Sequence, residues 1–180
     1  MYAKAAEGGH AGAQCRLGDA YEYGQLGLKI DIDMALMWFK KAAGGGDLDA
    51  QCRLGDAYED GQLGLMIDIE MALMWFKKAA EGGNGDAQWR LGRAYEYGLL
   101  GLKIDIEMAL MWHKKAAEGG EGYAQWRLGG AYENGFLGLK VDIEIALMWF
   151  KKAVKCGDGD AQWRLGKAYE NDPRVLILGF

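Results

Sequence analysis

The chain has 180 residues, a formal net charge of −5 and three cysteines. Interspersed acids and bases leave no basic stripe of the kind nucleic acid calls for, and three cysteines cannot build a disulfide framework. No apolar run approaches the ~20 residues of a membrane-spanning helix.

Met1-Tyr-Ala-Lys-Ala-Ala-Glu7 has neither the basic start nor the apolar stretch of a signal peptide. Either the mature chain is not exported or the sequence is a fragment of something longer; a cytoplasmic location is favoured. Residues 1–9 instead match the second half of a helix that is complete further on, Trp75-Phe-Lys-Lys-Ala-Ala-Glu-Gly-Gly83. The chain is therefore expected to open in mid-helix. From there Arg-Leu-Gly-x recurs at Arg16, Arg53, Arg90, Arg127 and Arg164, always 37 residues apart. A fixed period of this length marks a solenoid, in which each unit buries its apolar face by stacking on its neighbours.

Asp86–Gly122 shows one unit. Ala87, Leu91, Ala94 and Tyr95 fall on one face of a first helix, A, and Gly98 stops it. Gly92 inside that helix loses about 1 kcal/mol against alanine, so its return in every copy predicts a neighbour too close for a Cβ. A loop follows, Leu99-Leu-Gly-Leu-Lys-Ile-Asp105, with Asp105 placed to cap helix B over Ile106–Glu118. Helix B is apolar on most sides, and Gly119-Gly120 ends it. The Lys-Lys pairs (Lys40-Lys41, Lys77-Lys78, Lys114-Lys115, Lys151-Lys152) stand late in helix B, where they complement its dipole and are expected in solvent. Nothing reads as a strand.

After a fifth helix A the pattern breaks at Asp172-Pro173. The expected organisation is an all-α repeat solenoid over residues 1–171 (a partial helix B, four full units, a fifth helix A) and an apolar tail over 172–180. Val175, Leu176, Ile177, Leu178 and Phe180 would cap the last helix, or the tail would enter a groove of its own or another molecule. Cys15 and Cys52 occupy one position in adjacent units, so they should stand a helix-stacking distance of ~8–10 Å apart. A disulfide needs a Cα separation of ~4.4–6.8 Å, so the thiols should be free.

The string Ala50, Leu54, Gly55, Tyr58, Gly61, then Gly64, Leu65, Asp68, then Ala72, Leu73, Trp75, Phe76, Lys78, Ala79, Ala80 and Gly83 resembles the Sel1-like repeat. The resemblance covers the chain up to Asn171. It implies a tetratricopeptide-related, right-handed superhelical solenoid that serves mainly as an adaptor for proteins and peptides. Two features depart from the family pattern. The loop, as in Gly61-Gln-Leu-Gly-Leu-Met-Ile-Asp68, is one residue longer and lacks a proline. The cysteine pairs that staple the helices of some secreted members are absent.

The units are nearly identical, so the positions at which they differ are informative. One column of helix A reads Cys15, Cys52, Trp89, Trp126, Trp163. The next reads Asp19, Asp56, Arg93, Gly130, Lys167, and a third reads Tyr23, Asp60, Tyr97, Asn134, Asn171. Spaced four residues apart, they form one stripe along the helix. A further column, Gly12, Asp49, Asp86, Tyr123 and Asp160, extends it by a turn. Aligned with tetratricopeptide repeats, these columns and the invariant Glu22, Glu59, Glu96, Glu133 and Glu170 fall where the resemblance implies ligand contacts on a concave face. The first two units offer acids beside small cysteines; the later ones offer tryptophans with Arg93 and Lys167, the residue types of binding hot spots. This polarity predicts a peptide with its basic part toward the N-terminal units. Two blander alternatives stand beside it: the three tryptophans pack between units, or the variation is drift on a solvated face.

His113 replaces the Phe39, Phe76 and Phe150 of other copies and is expected as a packed ring with one polar edge; His10 replaces a turn residue. Neither has a metal ligand at useful spacing, and no nucleophile–base pair or phosphate loop is present. The expected function is a non-catalytic, cofactor-free adaptor for a protein or peptide segment, with no nucleic acid and no membrane. The alternative is a structural spacer or self-assembling repeat module, natural or consensus-built, associating through its ends or its tail.

Overall fold

Local signals place the helices. The structure is a computed structural model that describes residues 2–171, apart from the side chains of Tyr2, Tyr169 and Asn171. The tail at 172–180, with its expected capping role, lies outside the described residues. The chain is all-α, built of repeated helix pairs, and divides into two compact units, Met1–Ala87 and Gln88–Phe180.

The first unit holds α1 (Tyr2–Glu7), α2 (Ala11–Tyr23), α3 (Ile32–Gly44), α4 (Leu48–Asp60) and α5 (Ile69–Glu81). The second holds α6 (Gly85–Tyr97, its first turn falling in the first unit), α7 (Ile106–Glu118), α8 (Gly122–Asn134), α9 (Ile143–Lys155) and α10 (Gly159–Asn171). Even-numbered helices are the A helices and odd-numbered ones the B helices. No helix among the described residues is long and apolar enough to cross a membrane.

Each complete B helix starts where an aspartate accepts a backbone N–H three residues on: Asp31 from Met34, Asp68 from Met71, Asp105 from Met108, Asp142 from Ile145, all at 3.0 Å. His10, a turn residue in the sequence, is an N-cap too: its Nδ1 accepts from Ala13 N at 3.1 Å. Between A and B the chain turns through Leu63-Gly64 and its counterparts. These leucines adopt a left-handed conformation (φ 52° to 56°) that side chains avoid. Leu63 is held there by burial among Ala35, Phe39 and Ala57, and Leu137 beside Ala109 and Ala131. The turn thus plants Leu63, Leu100 and Leu137 in the core, whereas Leu26 adopts the same backbone and is exposed.

The cores are alanine-rich, so helices approach closely. In the first unit Ala35, Phe39, Ala42, Ala50, Leu54 and Ala57 pack together; in the second, Ala146, Phe150, Ala153, Ala161 and Leu165 do so. The glycine inside helix A answers to helix B, as expected, but the close neighbour is a ring and not a backbone. A Cβ at Gly55 would lie 2.6 Å from Phe76, and one at Gly92 2.6 Å from His113. Buried glutamines add a link that the sequence pattern did not suggest. Gln14, Gln51 and Gln125 donate to the carbonyls of Ala6, Ala43 and Ala117, each at 3.0 Å, tying helix A to the end of the preceding helix B. The second lysine of each pair is exposed and lies over the indole three residues earlier, as Lys152 does over Trp149 at 4.1 Å.

Candidate partner-binding surface

The variable columns sit on the A helices, and the two units present them differently. In the first unit Cys15 and Cys52 are buried, and all three cysteines of the chain are free thiols. Burial pushes the Cys15 thiol well above its usual range, helped by the carboxylates of Asp47 and Asp19. Asp19 and Asp56 are half-buried, and Asp60 is exposed. Burial raises the Asp19 carboxyl; Arg53 opposes that shift and Glu22 adds to it. Tyr23 is exposed, and its hydroxyl accepts from Arg53 Nη2 at 3.0 Å.

In the second unit aromatic rings replace the thiols. Trp89 and Trp126 are half-buried, with Tyr123 between them at 5.1 Å from each, edge-on to Trp89 and tilted on Trp126. Arg93 is exposed and lies over Trp89, its guanidinium carbon 5.0 Å from the ring centre. Trp126 also packs on the core formed by α9 and α10. Trp163 is 58% exposed, with the Lys167 ammonium 4.5 Å from its ring centre. Tyr97 is exposed and accepts from Arg127 Nη2 at 2.8 Å. Asn134 is exposed, and its amide donates to Gly130 O at 2.9 Å and to Glu133 at 3.3 Å. The Asn171 side chain lies outside the described residues.

Glu22, Glu96 and Glu133, three of the invariant glutamates of this face, bind the chain itself. Glu22 pairs with Arg53, Glu96 with Arg127 and Glu133 with Arg164, so these three arginines each clamp one A helix to the previous one within their unit. Glu96 carries a further bond, to the Nε2 of the fully buried His113 at 3.1 Å. Burial pushes the Glu96 carboxyl upward, but bonds from His113 and Tyr97 and the charge of Arg127 outweigh it and hold the group below the usual carboxylate range. His113 is thus a packed ring with one polar edge.

A further column went unnoticed in the sequence, Gln25, Gln62, Leu99 and Phe136, just after the glycine that ends helix A. The same signal would have found it, since it varies between two invariant neighbours. Phe136 is 52% exposed and, with Trp126, Arg127, Gly130, Asn134 and Arg164, lines a pocket in the second unit.

The Sel1 repeat model matches residues 11–47, 48–84, 85–121, 122–158 and 159–175. The structure is similar to a Sel1 repeat protein from Oxalobacter formigenes (37% identity, TM-score 0.79, covering 89% of this chain and 64% of that one). It is also similar to a protective antigen of uropathogenic Escherichia coli with an SLR fold (35% identity, TM-score 0.75, 95% of this chain and 36% of that one). A third similarity is to an immunity protein from Pseudomonas aeruginosa (25% identity, TM-score 0.62, 90% of this chain and 57% of that one). The chain thus spans less than two thirds of each of these proteins. No curated protein matches it.

Proposed function

The chain belongs to the Sel1 repeat family, and from that premise we propose that it is a non-catalytic adaptor holding a protein or peptide segment against the A helices of Gln88–Phe180. Sel1 repeat proteins are generally protein-interaction scaffolds, and the fold is typically non-catalytic.

The observation that carries the proposal is the aromatic run Trp89–Tyr123–Trp126, with exposed Arg93 beside it and exposed Trp163 under Lys167. Rings left this accessible gain most when a partner covers them, because they bury large area for little lost entropy. The contacting set is Trp89, Arg93, Tyr97, Tyr123, Trp126, Asn134, Trp163 and Lys167. In the first unit Asp19, Asp56, Asp60 and Tyr23 give the A helices an acidic character, with the buried Cys15 and Cys52 as spacers behind them.

The test is a peptide-display selection on the intact chain, repeated with Arg93→Glu and with Trp163→Ala. Both side chains are exposed, so neither change should unfold the protein. A motif enriched on the wild type and lost on the variants is the expected result. Absence of any enriched motif would defeat the adaptor proposal.

A further inference from the structure

Within Gln88–Phe180 two of the three A-helix tryptophans are covered by a cation four residues on: Arg93 lies over Trp89 and Lys167 over Trp163. Trp126 is followed by Gly130 instead, and a Cβ built there meets nothing within 4 Å. Glycine is a poor choice inside a helix unless something crowds it. Its neighbour Gly129 is crowded, with the Phe150 ring 2.7 Å from where a Cβ would stand. Packing therefore accounts for Gly129 and not for Gly130. What Gly130 does is open the pocket lined by Trp126, Asn134 and Phe136, with Arg127 and Arg164. Phe136 adds an exposed ring beside the half-buried Trp126, where the first unit has Gln25 and Gln62.

The chemistry of the lining selects a guest. Two rings in the lining offer apolar surface to a flat side chain. Among the described residues the lining holds two guanidiniums and no carboxylate. Arg127 and Arg164 each have a glutamate partner outside the lining, Glu96 and Glu133, but a guanidinium carries more donors than one carboxylate oxygen takes up. The remaining N–H donors would hold an oxygen acceptor and have nothing to offer a cation. We infer that the Gly130 pocket seats an aromatic side chain of a partner peptide, and that an acidic residue next to it in the peptide reaches Arg164. This rests on the adaptor reading and names the anchor of the same surface.

Gly130→Arg is the decisive variant, because Arg93 already occupies the equivalent position one repeat earlier. It should plug the pocket without harming the helix. Phe136→Gln, which installs the residue of the first unit, removes one wall. A random dodecapeptide library is selected on the wild type, and the enriched peptides are titrated by fluorescence anisotropy against the wild type and both variants, with thermal melts alongside. The expected result is a motif pairing an aromatic residue with an acid, bound at least tenfold more weakly by each variant at unchanged melting temperature. If Gly130→Arg melts early, Phe136→Gln alone decides. An enriched motif without that pair, or one whose affinity survives the variants, overturns the pocket and leaves the adaptor standing. No enrichment at all defeats both.

Discussion

The slot before the Arg-Leu-Gly triplet holds Cys15 and Cys52 in the first unit and Trp89, Trp126 and Trp163 in the second. The helix is the same length in both, and its inner glycine faces a B-helix ring at Gly18, Gly55, Gly92 and Gly129. A thiol is small enough to disappear into that slot, whereas an indole fills it and extends beyond. The core of the repeat therefore tolerates both, and the choice changes only what lies on the surface. Two carboxylates at different positions of helix A also differ in environment. Asp19 sits where burial outweighs its cations, while Glu96 sits where His113, Tyr97 and Arg127 outweigh burial. A repeat array can thus keep one folding template and vary its outer face unit by unit.

The largest expected effect tests whether the template is shared. Gly55→Val and Gly129→Val push a branched side chain into Phe76 and Phe150, and each should cost about 3 kcal/mol in urea unfolding. Unequal losses would break the equivalence of the units. Next comes the contrast among tryptophans. Trp126→Ala, which empties a place packed on the α9–α10 core, should cost about 2 kcal/mol, and Trp163→Ala less than about 0.5 kcal/mol. Equal costs would move Trp163 into the core and remove it from the surface.

Acid sharpens the comparison further. The Glu96 carboxyl is lowered in the folded state, so the unfolded chain binds more protons between the two values. Its stabilisation is complete above the ordinary carboxylate range and is lost as pH falls through the folded value. Asp19 is raised, so its ionised form is a penalty that acid removes. Glu96→Gln should destabilise by about 2 kcal/mol at neutral pH, with partial solvation of Arg127 limiting the loss, and by little at strongly acidic pH. Asp19→Asn should stabilise slightly at neutral pH, the gain vanishing in acid. Chemical denaturation across pH reads both, and parallel profiles would contradict the assigned environments.

The last test costs no stability. A thiol reagent at neutral pH should label exposed Cys156 fast and buried Cys15 and Cys52 only on unfolding. Rapid reaction at all three would mean that the thiol slots are open to solvent.

Much of this protein was legible in its sequence. The 37-residue period gave the architecture, Asp105 and its equivalents the start of helix B, Gly98 and Gly119 the helix ends, and the variable columns a stripe on helix A. These features depend on neighbours within a turn or two, where propensity and capping chemistry act. Tertiary structure alone decided the rest. Glu96 meets an arginine 31 residues away, Leu63 accepts a left-handed backbone to reach the core, and Trp126 is half in the core while Trp163 is mostly out. Tryptophan recurs at the same place in the last three A helices, but its burial depends on what the neighbouring helices put against it, which no period encodes.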